Sequence, residues 1–499
     1  MRTWENGTDC CSWMGVTCHS LSGYVIGLDL SCSALVGRIH PNSTLFHLTH
    51  LQTLNLAFSS FHRSQLPHHH FGGLVSLTHL NLSRCDFKGD IPSQISHLSK
   101  LQSLDLSNNY YELKWKETTW KRLLQNATAL HEIALDDTDM SSISITTLSN
   151  SSFSSSLVTT LSFGDTGISG HLTSHIFCSP NLQKLDLGGN DGIQIHVDLK
   201  LNCSASLLTI LDLSSCVIKG PALLSFFNLT YLTSLILAGN QLNGSIPSSL
   251  SKLQHLTHLD LSSNALTGLI PSSLSNLHHL VYLDISYNNL SGQIPNVFDR
   301  LTNLQILFFR DNVFHGKLPS SLFTLTQITH LICSSNQIEG TLPDKAAFSN
   351  ITYLILDGNL LDGTIPRWAL SFKSLRYLDL SNNRFTGHLS SEITSYSLKY
   401  LYLCDNNLQG KFPESVFHLV NLTDLCLSSE NWTNTINFPL FSKLQKLRYL
   451  SLSGCSSLLL ESETSVNYTF PTFASTTITF QQYHWLVKVL GNIFEIVFS

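Results

Sequence analysis

LTHLDLSSNALTGLIPSSLSNLHHL occupies residues 256–280, and LVYLDISYNNLSGQIPNVFDRLTNL follows at 280–304 with the same grammar. Asn264, Gly268 and Pro271 in the first stretch return 24 residues later as Asn288, Gly292 and Pro295. A period of this kind marks stacked repeat units, each too small to bury its apolar face alone. Alternate leucines in the L-x-L core have the period of a strand, so Leu259 and Leu261 point inward while His258, Asp260 and Ser262 point out. Stacking such strands predicts a parallel sheet over a continuous core.

Working outward, the anchor position falls at Ser33, Ser59, Cys85, Asn109, Thr138, Thr166, Asn190, Cys216, Asn240, Asn264, Asn288, Asn312, Asn336, Asn359, Asn383 and Asn406, with weaker units at Glu430 and Cys455. From Asn190 to Asn406 every step is 23, 24 or 26 residues, while steps of 29 and 28 flank Thr138. The short amide at the anchor is suited to bond backbone groups of its own turn and of the neighbouring coil, making a ladder. Cys85, Cys216 and Cys455 stand in for it as small buried thiols. Gly268 and Pro271 bend the second half of the unit, which predicts short 3₁₀ and edge-strand structure there. KWKETTWKRLLQNATAL, 114–130, predicts an amphipathic helix with Trp115, Trp120 and Leu123 packed inward.

Composition limits the function classes. The chain has 499 residues, 42% of them hydrophobic and only 12% charged, with a formal net charge of -6. No basic field points to nucleic acid. HEIAL at 131–135 lacks the second histidine of a zinc-protease helix, and phosphate-cradling, nucleophile-elbow and kinase elements are not found. The expectation is a chain that is not an enzyme and takes no cofactor. His68, His69 and His70 lie in a surface loop and are not read as a metal site.

The repeat, with its G-x-[IL]-P element, resembles the plant extracellular leucine-rich repeat, LxxLxLxxNxLxGxIPxxLxxLxx, over roughly residues 25–430. WENGTDCCSWMGVTC at the start resembles the N-terminal cap of plant leucine-rich-repeat receptors. The whole is similar to plant receptor-like proteins of the disease-resistance type. That resemblance implies a right-handed leucine-rich-repeat superhelix with a parallel concave sheet and a convex face of 3₁₀ turns and loops. It divides the chain into a partial cap at 1–24, a solenoid of about 18 units at 25–463 and a divergent tail at 464–499. It also implies a Cys11–Cys18 disulfide and an upstream partner for Cys10 in a helical segment ahead of the tryptophan. The start reads as lying inside its cap, and the end as lying partway along the solenoid.

Cys178 and Cys203, 25 residues apart, sit about one repeat apart, and stacking predicts a bridge between adjacent coils. Thirteen N-x-[ST] sequons, at Asn6, Asn42, Asn81, Asn126, Asn150, Asn202, Asn228, Asn243, Asn289, Asn350, Asn421, Asn431 and Asn467, are glycosylation candidates consistent with an oxidising, extracellular setting.

The binding surface is expected on the outward strand positions. There Tyr282, Ile306, Phe308, Arg310, His330, Tyr353, Tyr377, Tyr400 and Tyr402 collect aromatic rings and an arginine on one face, the residue types that dominate interface energetics. The resemblance implies recognition of an extracellular peptide, protein or glycan at a plant cell surface, in defence or peptide perception. Signalling would pass through a partner receptor kinase, and membrane association would rest on segments outside these residues. Two alternatives fit the same repeats: a secreted inhibitor of a cell-wall hydrolase, similar to polygalacturonase-inhibiting proteins, and a receptor gene fragment without function.

Overall fold

Leu259 and Leu261 are 1% and 0% exposed, and the same pair of inward positions is buried on strand after strand. The structure, a computed structural model, describes residues 4–5, 7–40, 42–68, 70–150, 157–196, 206–427, 431–433, 436–452, 458–459, 485–490 and 493–498. These form two units, Met1–Asn243 and Gly244–Ser499.

In the first unit, Val16–Cys18 pairs antiparallel with Val25–Asp29. From Val25–Asp29 onward the strands add in parallel and in register, through Thr53–Asn55, His79–Asn81, Ser103–Asp105 and on to Ser234–Ile236. The cap closes the end of this sheet: Cys11 and Cys18 are disulfide-bonded, and Trp4 stacks on Trp13 with ring centroids 5.0 Å apart. The helix Glu117–Asn126 buries Trp120, Leu123 and Leu124, and Trp120 meets Trp115 edge to face at 5.3 Å. The expected inward packing of 114–130 is therefore what the chain adopts.

In the second unit, short strands from His258–Asp260 to Tyr449–Ser451 pair in parallel without slipping register. The leucine pairs drive this, because a one-residue slip would turn them to solvent, and each buried leucine contributes roughly 1.5–3 kcal/mol. Past each anchor asparagine a second parallel sheet runs through Ala265–Gly268, Asn289–Gly292, Val313–Gly316, Gln337–Thr341 and Leu360–Asp362. Gly268 sits at φ +77° as the chain leaves its strand, a conformation that costs glycine little. 3₁₀ turns such as Ser272–Asn276 and Ser320–Thr324 then lead back to the next leucine.

The anchor ladder binds coil to coil. Asn312 donates from Nδ2 to the carbonyls of Ile285 in the preceding coil (3.0 Å) and of Phe309 in its own turn (3.2 Å). Its Oδ1 accepts from the Leu290 N–H at 2.9 Å. Asn336, Asn359, Asn383 and Asn406 repeat the pattern. Cys85, fully buried, donates its thiol to the Leu56 carbonyl instead, and Cys216 donates to that of Leu187. Burial pushes the Cys85 thiol up to about 12, so it stays protonated as a donor. Cys455 and Glu430, the last two anchors expected, lie outside the described residues. In the tail, Trp485–Leu490 and Ile493–Phe498 pair antiparallel.

Candidate binding face

The register stacks outward side chains of the second unit in columns. At the first outward position, successive strands present His258, Tyr282, Ile306, His330, Tyr353, Tyr377, Tyr400, Asp424 and Tyr449. At the second they present Asp260, Asp284, Phe308, Ile332, Ile355, Asp379, Tyr402, Cys426 and Ser451. Strands lie ~4.8 Å apart, close to the offset at which aromatic rings attract one another. Rings accordingly run on from strand to strand.

His258 stacks on Tyr282 at 6.1 Å, and Tyr282 meets Phe308 edge-on at 6.0 Å. Where Ile306 interrupts the first column, Phe308 in the second carries the run across to His330 at 6.5 Å. His330 stacks on Tyr353 at 4.5 Å, Tyr353 on Tyr377 at 6.0 Å, and Tyr377 on Tyr400 at 4.9 Å. Tyr377 also contacts Tyr402, which contacts Tyr449. The ladder thus joins all the ring-bearing residues proposed from the sequence, and adds His258 and Tyr449, which that reading left out. Neighbours half-bury all of these rings except the exposed His258, and the stacked pairs cover each other's faces. Arg310 is exposed but not idle: its Nε lies 2.7 Å from Asp311 Oδ2, and its guanidinium covers the Tyr287 ring at 5.5 Å.

Carboxylates punctuate the ladder. Asp260 accepts from the Ser262 N–H and hydroxyl, and Asp379 accepts likewise from Ser381. These bonds fold Ser262 and Ser381 back, while Ser334 donates to Asp357 on the next strand; with Ser286 all four are buried, which corrects the expectation that a serine at the third outward position is displayed. The Tyr402 hydroxyl donates to Asp424 and that of Tyr282 to Asp284. Burial, reinforced by the Asp357 charge, pushes Asp379 up to about 6. Burial also raises Asp284 and, aided by nearby carboxylates, holds Tyr377 at about 12. Burial lowers His330, favouring its neutral form.

A cross-strand bond that the sequence pattern does not predict also lies on this face. Cys404 and Cys426, on neighbouring strands, form a disulfide with Cα atoms 5.4 Å apart. Tyr402 is the register partner of Cys426, so the bond runs diagonally from the third outward position of one strand to the second of the next. Cys178 is disulfide-bonded, but Cys203 lies outside the described residues. Among the sequons, Asn42, Asn126, Asn243, Asn289 and Asn350 are exposed and Asn81, Asn228 and Asn421 half-buried; the side chains of Asn6, Asn150, Asn202, Asn431 and Asn467 lie outside the described residues, as does His69. His70 packs on Phe46 at 5.4 Å. No helix among the described residues is long and apolar enough to cross a membrane.

Comparison with known proteins agrees with this architecture. Leucine rich repeat models match residues 206–266, 230–290, 76–98, 374–396 and 397–419, and the leucine rich repeat N-terminal domain matches residues 1–19. Receptor-like protein 6 of Arabidopsis thaliana is 35% identical over 235 residues, covering 47% of this chain and 23% of that protein. Receptor-like protein Cf-9 of Solanum pimpinellifolium is 38% identical over 209 residues, covering 42% of this chain and 23% of that protein. The match therefore spans under a quarter of the length of these curated relatives. Among solved structures, the plant peptide hormone receptor RGFR1, in complex with RGF2, aligns with a TM-score of 0.66 at 26% identity over 90% of this chain and 82% of that one. The ectodomain of the plant membrane receptor kinase GASSHO1/SCHENGEN3 from Arabidopsis thaliana, in complex with CASPARIAN STRIP INTEGRITY FACTOR 2, shares the fold at a TM-score of 0.66 and 24% identity, over 89% of this chain and 67% of that one.

Proposed function

We propose that this chain, a leucine-rich-repeat protein related to the plant receptor-like proteins, is the ligand-recognition part of a cell-surface receptor. In this reading it performs no chemistry. It holds an extracellular peptide or protein on the outward face of the sheet between His258 and Tyr449 and signals through a partner receptor kinase, in defence or in peptide perception. The observation that carries the reading is the continuous aromatic run across seven successive strands from His258 to Tyr402, extended to Tyr449. Stacked rings form a rigid, half-desolvated platform, which lowers the ordering cost of binding.

Ring orientation favours a peptide over a glycan. Sugar rings stack on open aromatic faces, whereas His330 and Tyr353 cover each other, with planes 11° from parallel. Half-buried rings and their hydroxyls suit the backbone and side chains of an extended segment. A plant peptide hormone receptor of the same fold, solved with its peptide, supports the choice by analogy. The double variant Phe308→Ala/Tyr402→Ala tests it: partner binding should weaken at least tenfold while circular dichroism stays unchanged. Undiminished affinity for an identified partner would remove this face from the account.

A further inference from the structure

The second outward column of Gly244–Ser499 reads Asp260, Asp284, Phe308, Ile332, Ile355, Asp379, Tyr402 on successive strands. Carboxylates stand on either side of an apolar trio. Two more lie close by: the Asp424 carboxylate bonds the Tyr402 hydroxyl, and the Asp357 charge reaches Asp379. All five take hydrogen bonds from uncharged donors, namely Ser262, Ser286, Ser381, Ser334 and the two tyrosines. Among the described residues, none of the five is in an ion pair. Arg310 on the same face is already held by Asp311. Arg376 and Lys399 sit one residue ahead of Tyr377 and Tyr400, at the edge where the strands begin, and both are exposed.

We propose that the occupant of this face is an extended peptide segment whose two basic side chains, lysine or arginine, bracket an apolar stretch. The proposal rests on the reading above that this face is the binding face. Asp284 and Asp379 are four strand steps apart, about 19 Å at ~4.8 Å per step. An extended chain rising ~3.3 Å per residue covers that distance in about six residues. Positions i and i+6 then point to the same side, with i+2 and i+4 lying over Phe308, Ile332 and Ile355. Bound cations would neutralise carboxylates that form no ion pair among the described residues, with only Asp357 feeling the charge of Arg310, and a charge-assisted bond at a half-buried site is stronger than a neutral one. Arg376 and Lys399 repel cations from the strand edge and so align the segment with the aspartate column. An acidic segment would meet like charge along its length. The raised Asp284 and Asp379 are consistent with groups that lack a cationic neighbour.

The test is selection of a random nonapeptide display library on the full chain, followed by binding measurements with the synthetic consensus peptide. Enriched sequences should carry lysine or arginine six positions apart with apolar residues between. The consensus peptide should bind at least tenfold more weakly when its basic residues become glutamate, and at least tenfold more weakly to the Asp284→Asn/Asp379→Asn chain, whose amides keep an acceptor oxygen at each site. Acidic or uncharged consensus sequences, no consensus at all, or unchanged affinity for the asparagine variant would overturn the proposal. Binding of a neutral oligosaccharide to this face in preference to any peptide would do the same. The Phe308→Ala/Tyr377→Ala chain separates the two layers of argument. A consensus that needs these rings but not the carboxylates keeps the face and rejects the charge rule; one indifferent to both rejects the face as well.

Discussion

His330 and Tyr353 lie face to face on neighbouring strands, ring centroids 4.5 Å apart and planes 11° from parallel. Register alone makes them neighbours, but their stacking turns two side chains into one surface. Burial keeps His330 toward the neutral state, which suits a ring packed against another ring. A double-mutant cycle with His330→Ala and Tyr353→Ala should return a coupling of about 0.5–1.5 kcal/mol in stability, the usual worth of an aromatic pair. Additive losses would mean the two rings merely share a face.

The anchor ladder predicts a graded response. Asn312 is 7% exposed and serves carbonyls in two coils, so Asn312→Ala leaves buried donors and acceptors unpaired and should cost about 1–3 kcal/mol. Asn312→Cys should cost less, because Cys85 and Cys216 show a thiol reaching the preceding coil from the same position. Urea unfolding of the two variants checks the order, and equal losses would deny the thiol its place in the ladder.

How far the sequence shows all this depends on which property does the work. Strand positions and the anchor ladder are legible because leucine spacing and the Asn264-to-Asn288 step repeat in one dimension, as the fold itself does. The aromatic residues were legible one by one. Their continuity was not, because Phe308 replaces Ile306 in the run only through a diagonal contact between columns. Diagonal geometry also hid the Cys404–Cys426 bond. The two residues stand at different positions in their units, 22 residues apart, so aligning units by position shows no matched pair. A search for cysteines two residues short of one repeat would have found them. Burial of Ser286 was likewise invisible, since alternation marks it as outward.

Removing that bond tests whether it clamps the face. Cys404→Ser/Cys426→Ser should destabilise the second unit by about 2–4 kcal/mol, the common range for a disulfide. Peptide binding should weaken with it if the bond also fixes Tyr402, whose hydroxyl bonds Asp424 on the neighbouring strand. Unfolding followed by tyrosine fluorescence, with and without reductant on the unmodified chain, provides the comparison. The variant and the reduced chain should coincide in the second unit, the other disulfide-bonded cysteines described, Cys11, Cys18 and Cys178, lying in the first.

Asp379 makes stability depend on pH in a defined direction. Its carboxyl titrates at about 6 in the folded chain against 3.8 for the free group, with burial as the first cause and the Asp357 charge as a further one. Between those values the folded state holds the proton that the unfolded state has released, so stability falls as pH rises from about 4 to about 6 and levels off above. The groups around it are Tyr377 and Tyr402, which stay protonated throughout, Ser381, and Asp357. Asp379→Asn keeps the oxygen that accepts from Ser381 and removes the charge. It should flatten the pH profile and, near pH 7, raise stability by on the order of 1 kcal/mol after allowing for solvent screening. Urea midpoints at pH 4.5, 5.5 and 7 for both chains measure this. A variant that loses stability equally at all three would show that hydrogen-bond geometry at Ser381, rather than the charge, governs the site.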